Sequence, residues 1–207
     1  MRTRGVVTRP AAIGLAVVAI LVAGHPARAA LMSPGFRAVA VAHAANPIDA
    51  VVVAPDGRLF AAIQTTAQTS GTTPGTTEIR VYSAYAASDG AIIDEGSVWA
   101  TVDGVRATAN EEGLLGLALA PDFAVSKLMY VYLTTTDETA NQHIRVYREN
   151  AAGGGEYVGT VQTTLEPPTE TGSRNGGALT FGVDDCLFVG VGDNNSRWNA
   201  QLLDGTN

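Results

Sequence analysis

Val51-Val52-Val53-Ala54-Pro55-Asp56-Gly57-Arg58-Leu59-Phe60 returns as Leu117-Ala118-Leu119-Ala120-Pro121-Asp122-Phe123 and, after a short insertion, Leu128-Met129-Tyr130. It returns again as Leu179-Thr180-Phe181-Gly182-Val183-Asp184-Asp185-Cys186-Leu187-Phe188. The shared aspartates, Asp56, Asp122 and Asp184, are 66 and then 62 residues apart. A second element keeps the same beat: Ile79-Arg80-Val81-Tyr82 recurs 65 residues later as Ile144-Arg145-Val146-Tyr147. Two independent elements on one period make this an internal repeat.

Each period of about 64 residues holds short runs rich in Val, Ile, Tyr, Phe and Thr, which read as strands. The runs are Asp49–Ala54, Leu59–Ile63, Glu78–Ser83, Leu114–Ala120, Leu128–Thr134, His143–Tyr147, Ala178–Phe181 and Leu187–Val191. Turn residues separate them, notably Pro55-Asp56-Gly57, Asp103-Gly104 and Pro121-Asp122. The threonine-rich stretch Gln64–Thr77 reads as an exposed loop. One meander of about four strands cannot bury both its faces, so the copies must stack. A radial array of four-stranded sheets meets that need, and the expected fold is an all-β propeller of four-stranded blades. The repeat accounts for just under three blades. A third copy of the Ile-Arg-Val-Tyr strand is due about 23 residues after Asp184, at the end of the 207-residue chain. The expectation is therefore the N-terminal part of a larger propeller.

Composition narrows the function classes. The chain is 46% hydrophobic, 6% aromatic and 16% charged, with 23 Gly and 9 Pro, which suits a globular β protein. Residues 1–29 read as a secretory signal, with Arg2, Arg4 and Arg9 before an apolar run from Ala11 to Gly24. Ala27-Arg28-Ala29 then supplies a small-x-small cleavage site. Fourteen apolar residues fall short of the roughly 20 that span a bilayer. Residues 30–45 read as a linker and 46–207 as the propeller portion. The net charge is −7, and without residues 1–29 nine basic residues face twenty acidic ones. Such a chain is not expected to bind nucleic acid or, once cleaved, to hold a membrane anchor. The single cysteine, Cys186, excludes an internal disulfide and reads as a packing residue. With His25, His43 and His143 scattered, no metal site is expected from histidine and cysteine ligands.

Two segments carry a family resemblance. Glu111-Glu112-Gly113-Leu114-Leu115-Gly116-Leu117-Ala118-Leu119-Ala120-Pro121-Asp122-Phe123 resembles the Gly-Leu-Leu-Gly…Pro-Asp-Phe segment of the glucose/sorbosone dehydrogenase family of soluble quinoproteins. Asn175-Gly176-Gly177-Ala178-Leu179-Thr180-Phe181-Gly182, followed by Leu187-Phe188-Val189-Gly190-Val191-Gly192-Asp193, is similar to that family's His-Asn-Gly-Gly…Phe-Gly…Gly-Asp segment. The resemblance covers residues 46–207, about half of a family domain. It implies a six-bladed propeller using pyrroloquinoline quinone (PQQ) and calcium, with an aldose oxidised at its anomeric carbon, while the signal segment implies a place outside the cytoplasm, periplasmic or secreted.

The resemblance also assigns roles. A histidine before Asn-Gly-Gly takes the proton from the sugar hydroxyl, and the aspartate of Gly-Asp orients it. Asp193 matches the aspartate, with a turn-capping acid as the alternative. Arg174 stands where the base belongs, and a guanidinium has no acceptor and does not lose its proton at physiological pH. Glu111 matches a polar group near sugar and quinone, or else is a solvated acid. Asn175 holds the loop, while Gly176 and Gly177 permit close approach of the backbone. The family's calcium ligands and PQQ-gripping cations belong mostly to later blades. The resulting expectation is an exported aldose dehydrogenase-like protein lacking its base. The alternative is a non-catalytic propeller that binds a carbohydrate or protein partner. In either case open blade edges invite self-association.

Overall fold

The computed structural model describes residues 17–19, 38–40, 44, 46–64, 75–82, 96–107, 111–135, 142–162 and 174–193. The repeat appears in it as one hairpin used three times. Ala54 N–H donates to the Arg58 carbonyl at 2.8 Å, Ala120 N–H to Leu128 at 2.9 Å, and Gly182 N–H to Cys186 at 2.9 Å. In each hairpin the residue just before the accepting carbonyl is left-handed: Gly57 at φ 88°, Lys127 at φ 60° and Asp185 at φ 61°. The turn demands positive φ there; glycine meets it without strain, whereas lysine and aspartate must bear it. The insertion in the second copy is a short helix, α1 (Phe123–Ser126), whose Phe123 is buried.

The first blade runs β3 (Ile48–Val53), β4 (Leu59–Ile63), β5 (Gly75–Tyr82) and β6 (Ser97–Val105), in that spatial order. The second runs β7 (Leu114–Leu119), β8 (Leu128–Thr134), β9 (Gln142–Glu149) and β10 (Gly155–Gln162). β11 (Gly176–Phe181) and β12 (Leu187–Val191) form a two-stranded antiparallel sheet, the inner pair of a third. All neighbours within the blades are antiparallel. The chain is thus a partial β-propeller, as its repeat implies. Near the N-terminus β1 (Val17–Ala19) pairs in parallel with β2 (Ala38–Ala40). The remainder of the expected signal segment and the cleavage site lie outside the described residues, as does the continuation of the third blade.

The first strand of each blade packs on its counterpart in the next: β7 packs against both β3 and β11. Each of these inner strands carries one extra residue in its ladder. The irregularity falls between Ile48 and Ala50, between Leu114 and Gly116, and between Gly176 and Ala178. The extra residues are Asp49, Leu115 and Gly177, spaced 66 and 62 apart like the turn aspartates. A bulge bends its strand and re-aims the unpaired residue.

One apolar core joins the two complete blades. Phe60, Ile79, Trp99 and Val102 of the first meet Leu117, Phe123, Met129, Val131 and Tyr147 of the second. Phe60 contacts Trp99 and Phe123 edge-on, at centroid distances of 5.3 and 6.0 Å. Burying a side chain of this size is worth about 1.5–3 kcal/mol relative to exposure. At the margin, Arg58 makes a two-pronged bond to Glu149 across the blades, at 3.0 and 2.9 Å. The third sheet is tied on by Tyr130 against Phe181, 5.2 Å apart.

Three expectations need correction. β6 and β10 do not appear among the expected strands. These outer strands mix Ser, Thr, Asp, Glu and Gly into their sequences because their packing demands are weaker. The threonine-rich stretch is not all loop: Gly75–Thr77 belongs to β5, and Thr77 is buried, its hydroxyl donating to the Ile63 carbonyl. Cys186 is exposed rather than packed, because it closes the third hairpin turn.

Candidate functional site

The lead-ins of β7 and β11 meet at one rim, because those two strands pack side by side. β12 runs antiparallel to β11, so its end returns to the same rim. Chain direction alone therefore brings Glu111, Arg174, Asn175 and Asp193 together. Arg174 adopts φ 56° and donates its backbone N–H to the Glu111 Oε2. Its guanidinium donates from Nη1 to Asp193 Oδ2 at 3.3 Å. The Arg174 side chain is 61% exposed and that of Asp193 24%, so the pair is presented to solvent rather than sealed in.

Asn175 is the anchor. It is buried, and its Nδ2 donates to the Glu111 carbonyl at 2.7 Å. Gln142 Nε2 donates to its Oδ1 at 3.2 Å, and the Tyr132 hydroxyl donates to its carbonyl at 2.7 Å. Gly192 N–H reaches the same carbonyl at 3.3 Å, closing the β11–β12 end. Burial pushes the Tyr132 hydroxyl pKa well above the ordinary phenol range, so it stays a donor. Gly177 sits at φ 119°, and a Cβ there would stand 2.5 Å from the Leu115 Cβ. Its carbonyl fills the space beside Gly116, where a Cβ would collide with it. Gly176, at φ 79°, would drive a Cβ into the Gly190 carbonyl. These glycines serve close backbone packing beneath the rim.

The two neighbouring acids behave differently. Glu111 is exposed, whereas Glu112 is buried and paired with Arg106 at 2.8 Å. Sequence reasoning missed Tyr132 and Gln142 as supports of the rim. Tyr132 reads there only as a strand residue, and Gln142 lies one position before the expected strand start.

As chemistry, the rim offers exposed N–H donors on Arg174 and a carboxylate on Glu111, suited to hydroxyl groups. Position 174 offers no proton acceptor. The fit to PQQ and calcium is poor among the described residues. A calcium ion takes six to eight oxygen ligands, and among the described residues no group of three or more His, Cys, Asp and Glu residues is placed to hold a metal. Among the described residues, the guanidiniums near this rim, Arg106 and Arg174, already sit on Glu112 and Asp193. Those residues alone leave little positive charge for a quinone carrying several carboxylates.

A family model for glucose/sorbosone dehydrogenase matches residues 87–207. Aldose sugar dehydrogenase YliI of Escherichia coli (strain K12) is 32% identical over 94 residues, 44% of this chain and 25% of that protein. Among solved structures, a Thermus thermophilus oxidoreductase described as a glucose dehydrogenase aligns with a TM-score of 0.58 and 26% identity. It covers 76% of this chain and 41% of that one. The PQQ-bound aldose sugar dehydrogenase of Streptomyces coelicolor aligns with a TM-score of 0.48 and 21% identity, over 75% and 41% of the two chains. The chain spans less than half the length of each of these relatives.

Proposed function

The chain belongs to the glucose/sorbosone dehydrogenase family, and from that premise we propose an exported, aldose-binding, dehydrogenase-like propeller whose rim lacks the base at position 174. The observation that carries this reading is the Arg174–Asp193 pair at 3.3 Å. It keeps the loop geometry of a base and its orienter while replacing the acceptor with a cation. PQQ and calcium are the cofactors that the resemblance implies, and the described residues alone do not hold them. Export rests on the pattern of residues 1–29. Among the described residues no helix is long and apolar enough to cross a membrane. The exposed Val51, Val53, Val98 and Phe188 support association with further blades or with a second copy.

The second reading, a propeller that binds a carbohydrate or protein partner without turnover, is favoured by the same guanidinium. Both are tested on the protein as it occurs in the cell, including any sequence continuous with this chain. Glucose binding is measured by calorimetry, and dye reduction is followed with PQQ, calcium and glucose. The expected result is binding without turnover in the natural protein, and dye reduction in Arg174→His. Loss of a positioned general base typically lowers rates by about 10²–10⁴. Equal dye reduction by the two proteins overturns the role given to position 174, and absence of aldose binding overturns the reading as a whole.

A further inference from the structure

The repeated bulge sets out three equivalent positions, Asp49, Leu115 and Gly177, one on each inner strand. Two are apolar or bare. Leu115 and Gly177 are packed on each other, with the Gly177 carbonyl against Gly116. Asp49 is the ionisable one, on the strand that flanks β7. As the unpaired residue of a bulge, it is free of the alternation that governs Ile48, Ala50 and Val52.

The residue as a whole is exposed, yet its carboxyl end turns in toward Gly113. Oδ2 lies 3.7 Å from where a Cβ on Gly113 would stand, and Gly113 holds φ 134°. Gly113 is itself fixed: its N–H donates to Thr134 Oγ1 at 2.7 Å, and its carbonyl accepts from Thr134 N–H at 2.9 Å. Two residues before it is Glu111, which carries Arg174 and Asn175. Among the described residues no hydrogen bond or ion pair reaches the Asp49 carboxyl. Partial burial of its carboxyl pushes its pKa up to about 6. A desolvated acid at a rim beside binding groups, with no partner among the described residues, is a candidate for contact with a ligand.

We propose that Asp49 is an aldose-contacting residue of this rim, its carboxylate accepting a hydrogen bond from a hydroxyl of the bound sugar. The proposal rests on the reading of the rim as an aldose site. It supplies the acceptor that position 174 cannot, from a different blade. Among the described residues, few charged groups lie on the elements that meet at this rim. The lead-in of β7 brings Glu111 and the Glu112–Arg106 pair, the β11–β12 end brings Arg174 and Asp193, and β4, its paired neighbour, brings none.

The test is calorimetric titration of the full chain with glucose between pH 5 and pH 7.5, for the natural protein, Asp49→Asn and Asp49→Ala. The natural protein should bind several-fold more tightly at pH 7.5 than at pH 5. Both variants should bind about tenfold more weakly at pH 7.5, as expected for loss of a hydrogen bond to a charged group, with that pH dependence abolished. A second measurement needs no variant. The NMR titration midpoint of the Asp49 carboxyl carbon should fall when glucose is added, because a hydroxyl donor favours the ionised form. Variants with unchanged affinity and pH profile, or a midpoint that glucose leaves in place, overturn the proposal while leaving the aldose site standing. If the natural protein binds no aldose, the reading of the rim and this proposal fall together.

Discussion

When folding disfavours the ionisation of a carboxylic acid, stability responds to pH in a fixed direction. Asp49 has a folded pKa of about 6 against an ordinary value of 3.8. Its protonated form is the one that the fold tolerates, so its contribution is fully present below about pH 4. That contribution is lost as pH rises through about 6. Asp49→Asn, neutral throughout, should therefore melt above the natural protein at pH 7.5, by roughly 2–4 °C, and level with it at pH 4. The increase is small because solvent on the exposed side of the carboxyl screens the penalty. A variant that melts lower at pH 7.5 would show that the carboxylate stabilises the fold. Sequence reveals Asp49 only as the first residue of a strand, since a bulge leaves no mark on the hydrophobic pattern. Arg174 and Asp193 are legible through the family motif that frames them. Their ion pair follows from the same motif, which sets position 174 beside its orienting acid, and the return of β12 beside β11 brings the two together.

Between elements, the closest approach beneath the rim is that of β7 and β11, where Gly116 receives the Gly177 carbonyl. Backbone cannot retreat as a side chain can. Gly116→Ala should lower stability by about 1–3 kcal/mol through overpacking. Hydrogen exchange should then accelerate in β11 and β12 while β3 to β6 keep their protection; uniform protection in all sheets would refute the contact. β4, β7 and β8 are legible in the sequence because both their faces are packed, which concentrates Val, Leu, Ile and Phe. β6 and β10 escape notice because one side of an outer strand meets water, and Asp103 or Glu156 breaks the apolar run.

For the molecule as a whole, the period of 66 and 62 residues is the strongest signal, since each blade has to present the same packing surface to the next. The core confirms the dependence. Phe60 on β4 touches Trp99 of its own blade and Phe123 of the second. Phe60→Ala should reduce stability by about 3–5 kcal/mol, and denaturant melts should show both blades losing protection in one transition. Separate transitions, with only the first blade weakened, would mean that the blades fold independently.

The fork between Arg58 and Glu149 also has a consequence in time. The partners are 91 residues apart, so on the ribosome Arg58 emerges on the order of 5–20 s before Glu149 exists. Through that interval its guanidinium has a nearby companion in Asp56, whose carboxylate accepts from Nε at 2.9 Å. Arg58 lowers the pKa of that acid, which stays half exposed while Arg58 is largely covered. Asp56 is therefore the counter-ion within reach of Arg58 before the next blade exists, and the second arm of the clasp once Glu149 closes it.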